Sequence, residues 1–197
     1  MSCTNTTTPS KLQSANYNGG HSNNIHAMVL VVLALMSYGL PSAHADVTFV
    51  SNTCKKIKNP ALCEDVLSYD EHSTQASTVH ELASIALEIA TAIAKFNSKN
   101  FGVGARYNQG TPVGDALLAC LMTYGDAIDN LEVLAKHNLH VGDYADALRK
   151  VLDAKAAGDV CDNALKRIKE DFAVESDRKM TERCGVTAEL IGLLIHK

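Results

Sequence analysis

Apolar residues recur every three or four positions along most of the chain beyond residue 77, which is the spacing of an amphipathic α-helix. The first stripe follows Thr78-Val-His-Glu81, where a threonine and a glutamate three positions apart predict a capping box. This stripe consists of Leu82, Ile85, Ile89, Ile93 and Phe96. The glycines that follow predict a loop from Asn97 to Gly110.

Thr111-Pro112 predicts the start of a second helix, because threonine is a good N-cap and proline suits the first turn. Its stripe steps alternately by four and three positions through Leu117, Leu121, Tyr124, Ile128, Leu131 and Ala135. This spacing places Cys120 close to the buried face. The pattern breaks between Asn138 and Gly142.

Asp143 is expected to cap a third helix whose stripe is Ala145, Leu148, Leu152 and Ala156. Gly158 is a weak point in it, and the helix is expected to resume from Cys161 through Leu165 and Ile168. A last helix is predicted from about Asp177, with Met180, Cys184, Thr187, Ile191 and Leu194 on one stripe. Four amphipathic helices with short or modest connections predict an antiparallel up-and-down bundle.

Two shorter helical pieces precede the bundle, from Phe49 to about Ile57 and from Pro60 to about Tyr69. Cys54 and Cys63 flank the hinge between them, and antiparallel packing would bring these cysteines close enough to pair. The predicted fold class is therefore all-α, a disulfide-stapled antiparallel up-and-down four-helix bundle with an N-terminal helical hairpin.

The first 45 residues are interpreted as a targeting region, and the folded domain is assigned to residues 46–197. Met28 to Met36 is an uninterrupted apolar run, followed by small residues at Ala43 and Ala45 that predict signal-peptide cleavage after Ala45. Residues 1–27 are either a long polar leader or precede a true translation start at Met28, and the second interpretation is favoured. The run is too short to span a bilayer, so no membrane association is expected of the mature form.

Export would place the remaining cysteines in an oxidising compartment. Cys3 would be lost with the leader, which leaves Cys54, Cys63, Cys120, Cys161 and Cys184. The sequence alone leaves the pairing of these five thiols open. Cys184 lies on an apolar stripe, so it is expected to be a buried and inert thiol.

Composition and motifs give little support to nucleic-acid binding, metal binding or catalysis. The net charge is −4, and no basic patch interleaves with aromatic residues. The pair His137 and His140 lacks neighbouring cysteines or carboxylates, so a solvated turn is favoured over a zinc site. Gly102-Val-Gly104 lacks the third glycine of a dinucleotide fingerprint. Neither an enzyme nor a metalloprotein is expected.

The ordered set of motifs resembles the plant invertase and pectin methylesterase inhibitor family. The resemblance rests on Cys54-x8-Cys63, Leu118-Ala-Cys120-Leu-Met-Thr-Tyr124, Gly142-Asp-Tyr-Ala-Asp146 and Asp159-Val-Cys161, and it covers about residues 48–195. It implies disulfides Cys54–Cys63 and Cys120–Cys161, with Cys184 left as a free thiol. It also implies that the hairpin leans on the bundle.

The resemblance further implies a secreted protein of the apoplast or cell wall, or of the vacuole if the target is vacuolar. Such a protein would block either a plant pectin methylesterase or an acid invertase by binding, with no cofactor. A Pro-Lys-Phe triplet that some invertase inhibitors of this family use is replaced here by Tyr144, Ala145 and Asp146. Pectin methylesterase is therefore the favoured target, and Tyr144, Ala145 and Asp146 are the candidate contact residues. Tyr144 is either an exposed anchor for the target or packed against the preceding loop.

Two alternatives remain open at this stage. One is a secreted helical carrier that holds an apolar ligand inside its bundle, although closely stepped stripes favour a filled core. The other is a surface protein that keeps the fold without inhibition.

Overall fold

The structure is a computed structural model that describes residues 47–169 and 174–195. All regular secondary structure within these ranges is helical. None of the helices in the two ranges contains an apolar stretch long enough to cross a bilayer. The predicted leader, its cleavage after Ala45 and the alternative start at Met28 lie outside the described residues.

The N-terminal hairpin consists of α1 (Val47–Cys54) and α2 (Pro60–Leu67). Asn59 caps α2, since its side chain accepts a hydrogen bond from Leu62 N at 3.2 Å, and Pro60 occupies the first turn. Cys54 and Cys63 form a disulfide with their Cα atoms 5.5 Å apart. A short 3₁₀ helix, Glu71–Gln75, connects the hairpin to the bundle.

The bundle consists of α3 (Val79–Tyr107), α4 (Pro112–Ile128), α6 (Tyr144–Lys166) and α7 (Val174–Ile195). Between α4 and α6 lie a π-helical segment, Asp129–Ala135, and the short α5, Lys136–Val141. The backbone stays right-handed at both junctions, so α4, the π-helical segment and α5 form one continuous rod. Gly142 ends the rod in the left-handed conformation, with φ of 83°.

Each bundle helix packs against the helices next to it in the chain, and α3 also packs against α7. The tight turns at Asn108–Thr111 and Gly142–Asp143 reverse the chain between neighbours. These contacts are those of an antiparallel up-and-down four-helix bundle, so the predicted fold class is confirmed. The hairpin contacts the bundle through α2, which packs against α3 and α7.

The helix starts that the sequence predicts are confirmed by their capping bonds. Glu81 N donates to Thr78 Oγ1 at 3.1 Å, and the Glu81 carboxylate accepts from Thr78 N at 3.1 Å. Thr111 accepts from Gly114 N at 3.1 Å, and Asp143 accepts from Asp146 N at 3.2 Å. The caps satisfy backbone donors that would otherwise be unpaired at the start of each helix.

The predicted loop from Asn97 to Gly110 is wrong, because α3 continues to Tyr107. Asn97 and Phe101 are buried in this extension. A Cβ atom at Gly104 would lie 3.0 Å from Leu117 Cδ1, so the glycine allows a close approach of α3 to α4. Helix packing therefore outweighs the low helix propensity of the glycines.

The predicted stripes of α3 and α6 are shifted from the faces that the bundle buries. Phe96 is 58% exposed and Leu152 is 48% exposed, and Ala145 and Ala156 are also exposed. The buried faces combine large apolar residues, such as Leu82 and Leu87 on α3 and Leu165 on α6, with many small residues, namely Ala83, Ala86, Ala90 and Ala94 on α3 and Ala147, Ala154, Ala157 and Gly158 on α6. Small side chains let neighbouring backbones approach closely, and their weak hydrophobic signal explains why the predicted stripes are shifted.

Two further boundaries also differ from the sequence-based expectation. The rod continues through Asn138 to Val141, and α6 runs without interruption past Gly158. A Cβ atom at Gly158 would lie 3.0 Å from the Asp177 carbonyl oxygen, so this glycine brings α6 close to α7. The stripe predicted for the last helix is confirmed, since all of its members are buried: Met180, Cys184, Thr187, Ile191 and Leu194.

Candidate functional site

A second disulfide, Cys120–Cys161, joins α4 to α6 with a Cα–Cα distance of 4.7 Å. Both cysteines are completely buried, so the bridge lies beneath the outer surface of these two helices. Together with Cys54–Cys63, this is the pairing that the family resemblance implies. The disulfide fixes the relative register of α4 and α6.

Exposed apolar side chains lie close in the sequence to the two cysteines, on α4 and α6, and Leu118 also borders a groove against Gly102 and Ala105 of α3. Leu118 lies two residues before Cys120, Met122 lies two residues after it, and Val160 directly precedes Cys161. Met122 is 67% exposed, and Leu118 and Val160 are 48% and 49% exposed. We call Leu118, Met122 and Val160 the disulfide patch. Large apolar groups held in solvent at a rigid position are typical of a protein-binding surface.

Negative charge surrounds the disulfide patch on the α4 side. The segment from Pro112 to Ala135 contains Asp115, Asp126, Asp129 and Glu132, and it has no lysine or arginine. Each of these acidic residues is exposed, and Glu132 pairs with Lys95 of α3. A complementary protein surface would be apolar at its centre and basic at its rim.

The candidate contact residues Tyr144, Ala145 and Asp146 lie in the first turn of α6. Of the two positions considered for Tyr144, the structure shows the packed one: its ring is half-buried against the core, with its centroid 6.3 Å from that of His80. Asp146 is also partly buried, and its carboxylate pairs with Arg149 at 3.0 Å. Ala145 is exposed. Neighbouring groups thus hold two of the three side chains in place.

A buried polar network lies inside the bundle. Tyr124 on α4 donates its hydroxyl hydrogen to Asp177 Oδ1 at 2.6 Å, and the Tyr124 hydroxyl accepts from Asn97 Nδ2 at 3.2 Å. Asn97 also donates to the Ser176 carbonyl oxygen at 3.0 Å. The network ties α3 and α4 to the start of α7.

Asp177 is the titratable centre of the network. Burial raises the pKa of its carboxyl to about 6, with the negative charges of Asp162 and Asp159 acting in the same direction, while the Tyr124 hydrogen bond lowers it. The pKa of the Tyr124 hydroxyl is also raised, first by burial and then by its bond to Asp177. The carboxyl is 4% exposed and forms part of the interior, not of the outer surface.

Cys184 is a free thiol in the core of α7, with its Sγ atom 3.9 Å from Met180 Sδ. Burial raises the pKa of the thiol to about 12, so it stays protonated at physiological pH. The residue acts as a small apolar side chain in this position.

Within residues 47–169 and 174–195, no group of three or more histidine, cysteine or acidic side chains is arranged to hold a metal ion. His137 and His140 are both exposed at the end of the rod. His80 has its Nε2 atom 3.1 Å from the Leu139 carbonyl oxygen, which explains its position structurally.

The disulfide patch is the feature that sequence reasoning missed. The predicted stripe placed Leu152 and Ala156 on the buried face of the third helix, whereas both are exposed. A helical projection centred on Cys120 would have shown Leu118 and Met122 on the opposite face of α4, because a residue two positions away is rotated by about 200°.

Comparison with known proteins places these features in context. Residues 48–190 match the family model described as plant invertase/pectin methylesterase inhibitor. The chain is 33% identical over 121 residues to a pectinesterase inhibitor from Actinidia deliciosa, a match that covers 60% of this chain and 63% of that relative. The chain therefore spans less than two thirds of that inhibitor's length.

Two crystal structures from Arabidopsis share the fold. A mutant form of a pectin methylesterase inhibitor superposes with a TM-score of 0.63 at 25% identity, covering 73% of this chain and 95% of that one. A pectin methylesterase inhibitor from Arabidopsis thaliana superposes with a TM-score of 0.57 at 25% identity, covering 76% and 97% of the two chains.

Proposed function

This chain belongs to the plant invertase/pectin methylesterase inhibitor family, and on that premise we propose that it is a secreted protein that binds and blocks a pectin methylesterase. It would act in the cell wall by occupying the enzyme's substrate cleft, without catalysing a reaction and without a cofactor. The similar proteins named above are all inhibitors of this enzyme class, which favours it over acid invertase.

The disulfide patch is the observation that supports a contact surface on α4 and α6. It lies on the middle helices of the bundle, and the Cys120–Cys161 bridge beneath it keeps α4 and α6 in register. A rigid surface loses little conformational freedom on binding, so more of its contact energy appears as affinity. A stable complex buries about 800 Å² on each partner, and the outer faces of two long helices can supply such an area.

Charge supports the same orientation. The acidic residues of the Pro112–Ala135 segment would face a basic rim on the enzyme. Inhibition should therefore weaken as ionic strength rises, since salt screens exposed charges over about 8 Å at 0.15 M. An apolar contact alone would lack this dependence.

The test measures the residual activity of a plant pectin methylesterase and of an acid invertase after mixing with the purified mature protein. We expect inhibition of the first enzyme at a one-to-one ratio and no inhibition of the second. Inhibition of invertase alone would show that the target is wrong. Strong uptake of a fluorescent fatty acid, with neither enzyme inhibited, would favour the carrier instead.

Met122→Asp tests the contact surface, because it places a charge at the centre of the disulfide patch. We expect the inhibition constant to rise by about 30-fold or more, as for a central apolar contact. Phe96→Asp is the matched control, since Phe96 is also an exposed apolar residue on a bundle helix but lies on α3. Equal effects of the two substitutions would rule out the α4–α6 surface.

Tyr144, Ala145 and Asp146 remain candidate contacts at the N-terminal end of α6, whereas Val160 lies near its C-terminal end. Ala145→Lys tests them most directly, because Ala145 is exposed and takes no part in the core. A rise in the inhibition constant with unchanged thermal stability would support contact at this turn. Tyr144→Ala is less informative, since it also removes packing against His80.

A further inference from the structure

The turn between α1 and α2 carries a cluster of positive charge. Lys55, Lys56 and Lys58 are all exposed, and Ile57 between them is buried. The segment from Val47 to Cys63 contains no aspartate or glutamate. None of the three lysines forms an ion pair with a described residue, whereas Lys95 and Lys136 on the bundle pair across helices. The charge of this turn is therefore available to a ligand.

The turn is held in one conformation from several sides. The Cys54–Cys63 disulfide closes it, and Ile57 N donates to the Cys54 carbonyl oxygen at 3.2 Å. Lys58 N donates to Glu189 Oε2 on α7 at 2.7 Å, which ties the turn to the bundle and places one negative charge beside the three lysines. A fixed turn keeps the backbone positions of the three lysines close together before any ligand arrives, which lowers the cost of binding.

The position of the turn leaves it independent of the proposed inhibitory surface. The hairpin packs through α2 against α3 and α7, while the disulfide patch lies on α4 and α6. The lysine turn and the disulfide patch therefore share no residue and no helix.

We propose that Lys55, Lys56 and Lys58 form a second binding site, for a linear polymer of uronic-acid carboxylates. A single exposed ammonium–carboxylate pair is weak, but several pairs formed with one polymer add together. The identity of the polymer rests on the proposed function, because a pectin methylesterase converts methyl esters into these carboxylates. The site would hold the inhibitor on de-esterified pectin, where the enzyme has already acted.

The test is co-sedimentation or affinity electrophoresis with polygalacturonate, compared with fully methyl-esterified pectin of the same chain length. We expect binding to polygalacturonate at about 0.01 M salt, and loss of binding at about 0.15 M, since the screening length falls from about 30 Å to about 8 Å. The esterified polymer should not bind. Alkaline de-esterification of that polymer should create binding.

Replacing Lys55, Lys56 and Lys58 together by glutamine should weaken binding by about tenfold or more. The same three positions changed to arginine should retain it, because the charge is kept. Lys99→Gln, Arg106→Gln and Arg167→Gln combined remove the same charge from exposed residues elsewhere, and this control should bind within about twofold of the wild type. Equal weakening by the control would overturn the site.

The outcome is separable from that of the inhibition assay. If the lysine variant inhibits the enzyme normally in solution and loses the polymer, both proposals stand. Inhibition without polymer binding by the wild type would overturn the lysine site alone. Polymer binding without inhibition would leave this site standing and remove the proposed function. Binding to anionic phospholipid vesicles but not to polygalacturonate would assign the turn to a membrane surface and overturn the proposal.

Discussion

The α4–α6 side and the α3–α7 side of the bundle differ in what lies on their outer surfaces. On the α3–α7 side the hairpin covers part of the surface, and inside the bundle a polar network of Asn97, Tyr124 and Asp177 joins these two helices to α4. The α4–α6 side bears the disulfide patch in solvent. One pair of helices thus supports the hairpin, while the other pair carries exposed apolar side chains where the proposed function places the enzyme.

The two disulfides give the largest test of this comparison. Replacing Cys120 and Cys161 by alanine should lower the free energy of unfolding by about 4 kcal/mol, because the bridge closes a sequence separation of 41 residues. Replacing Cys54 and Cys63 should cost about 2.7 kcal/mol, since that separation is 9 residues. Urea denaturation of the purified variants measures both values.

A larger loss from the hairpin pair would contradict this ranking. It would mean that the hairpin contributes to the stability of the α3–α7 side beyond closing its own loop. The inhibition assay adds a second readout, because loosening α4 from α6 should weaken inhibition more than opening the hairpin does.

The second test concerns the buried network, whose contribution to stability depends on pH. The folded pKa of Asp177 is raised to about 6 from an ordinary value of 3.8, so the folded state binds the proton more tightly than the unfolded state. The contribution of Asp177 to the free energy of unfolding therefore rises by about 2 kcal/mol as the pH falls from 7 to 4. Asp177→Asn should remove this dependence while keeping an acceptor for the Tyr124 hydroxyl.

Thermal or urea unfolding at several pH values measures the difference between the wild type and Asp177→Asn. The difference, not the absolute curve, carries the test, because acidic residues elsewhere also titrate. Glu81 and Glu175, whose pKa values are lowered by hydrogen bonds, act in the opposite direction. A constant difference across the range would show that the Asp177 carboxyl has an ordinary pKa.

Prediction from the sequence worked where a feature is local. The capping box at Thr78 and Glu81 depends on residues three positions apart, and the helix start follows from that spacing alone. The extension of α3 beyond Asn97 was not predicted, because Gly104 favours a loop in the sequence pattern. The sequence does not show that Leu117 of α4 lies against the backbone of Gly104. The disulfide patch was missed for a related reason, since alanine and glycine at the true core face carry little hydrophobic signal.

Gly158→Ala is the third test, because it probes whether small size at the α6–α7 contact is required. The new Cβ would lie 3.0 Å from the Asp177 carbonyl oxygen and 3.1 Å from Thr181 Oγ1, so the helices must separate. We expect a loss of about 1 kcal/mol despite the better helix propensity of alanine. Gly125→Ala is the control, since nothing lies within 4 Å of its Cβ position, and it should stabilise α4.

Cys184→Ala should have the smallest effect on either side of the bundle. The thiol is fully buried, so the loss should be about 1 kcal/mol or less and inhibition should be unchanged. Labelling of the native protein by a thiol reagent should be slow and should accelerate in urea. Rapid labelling without denaturant would show that α7 opens readily and that the core assignment fails.

The π-helical segment Asp129–Ala135 sets the angle at which the far half of the rod faces its neighbours. Glu132 in this segment and Lys136 just beyond it reach Lys95 and Glu88 on α3, and Leu139 further along is buried. Deleting one residue here would turn everything beyond it by about 100°, which would carry Leu139 out of the core and misdirect Gly142. We therefore expect insertions and deletions to be tolerated at the exposed turn around Gln109 but not within the π-helical segment.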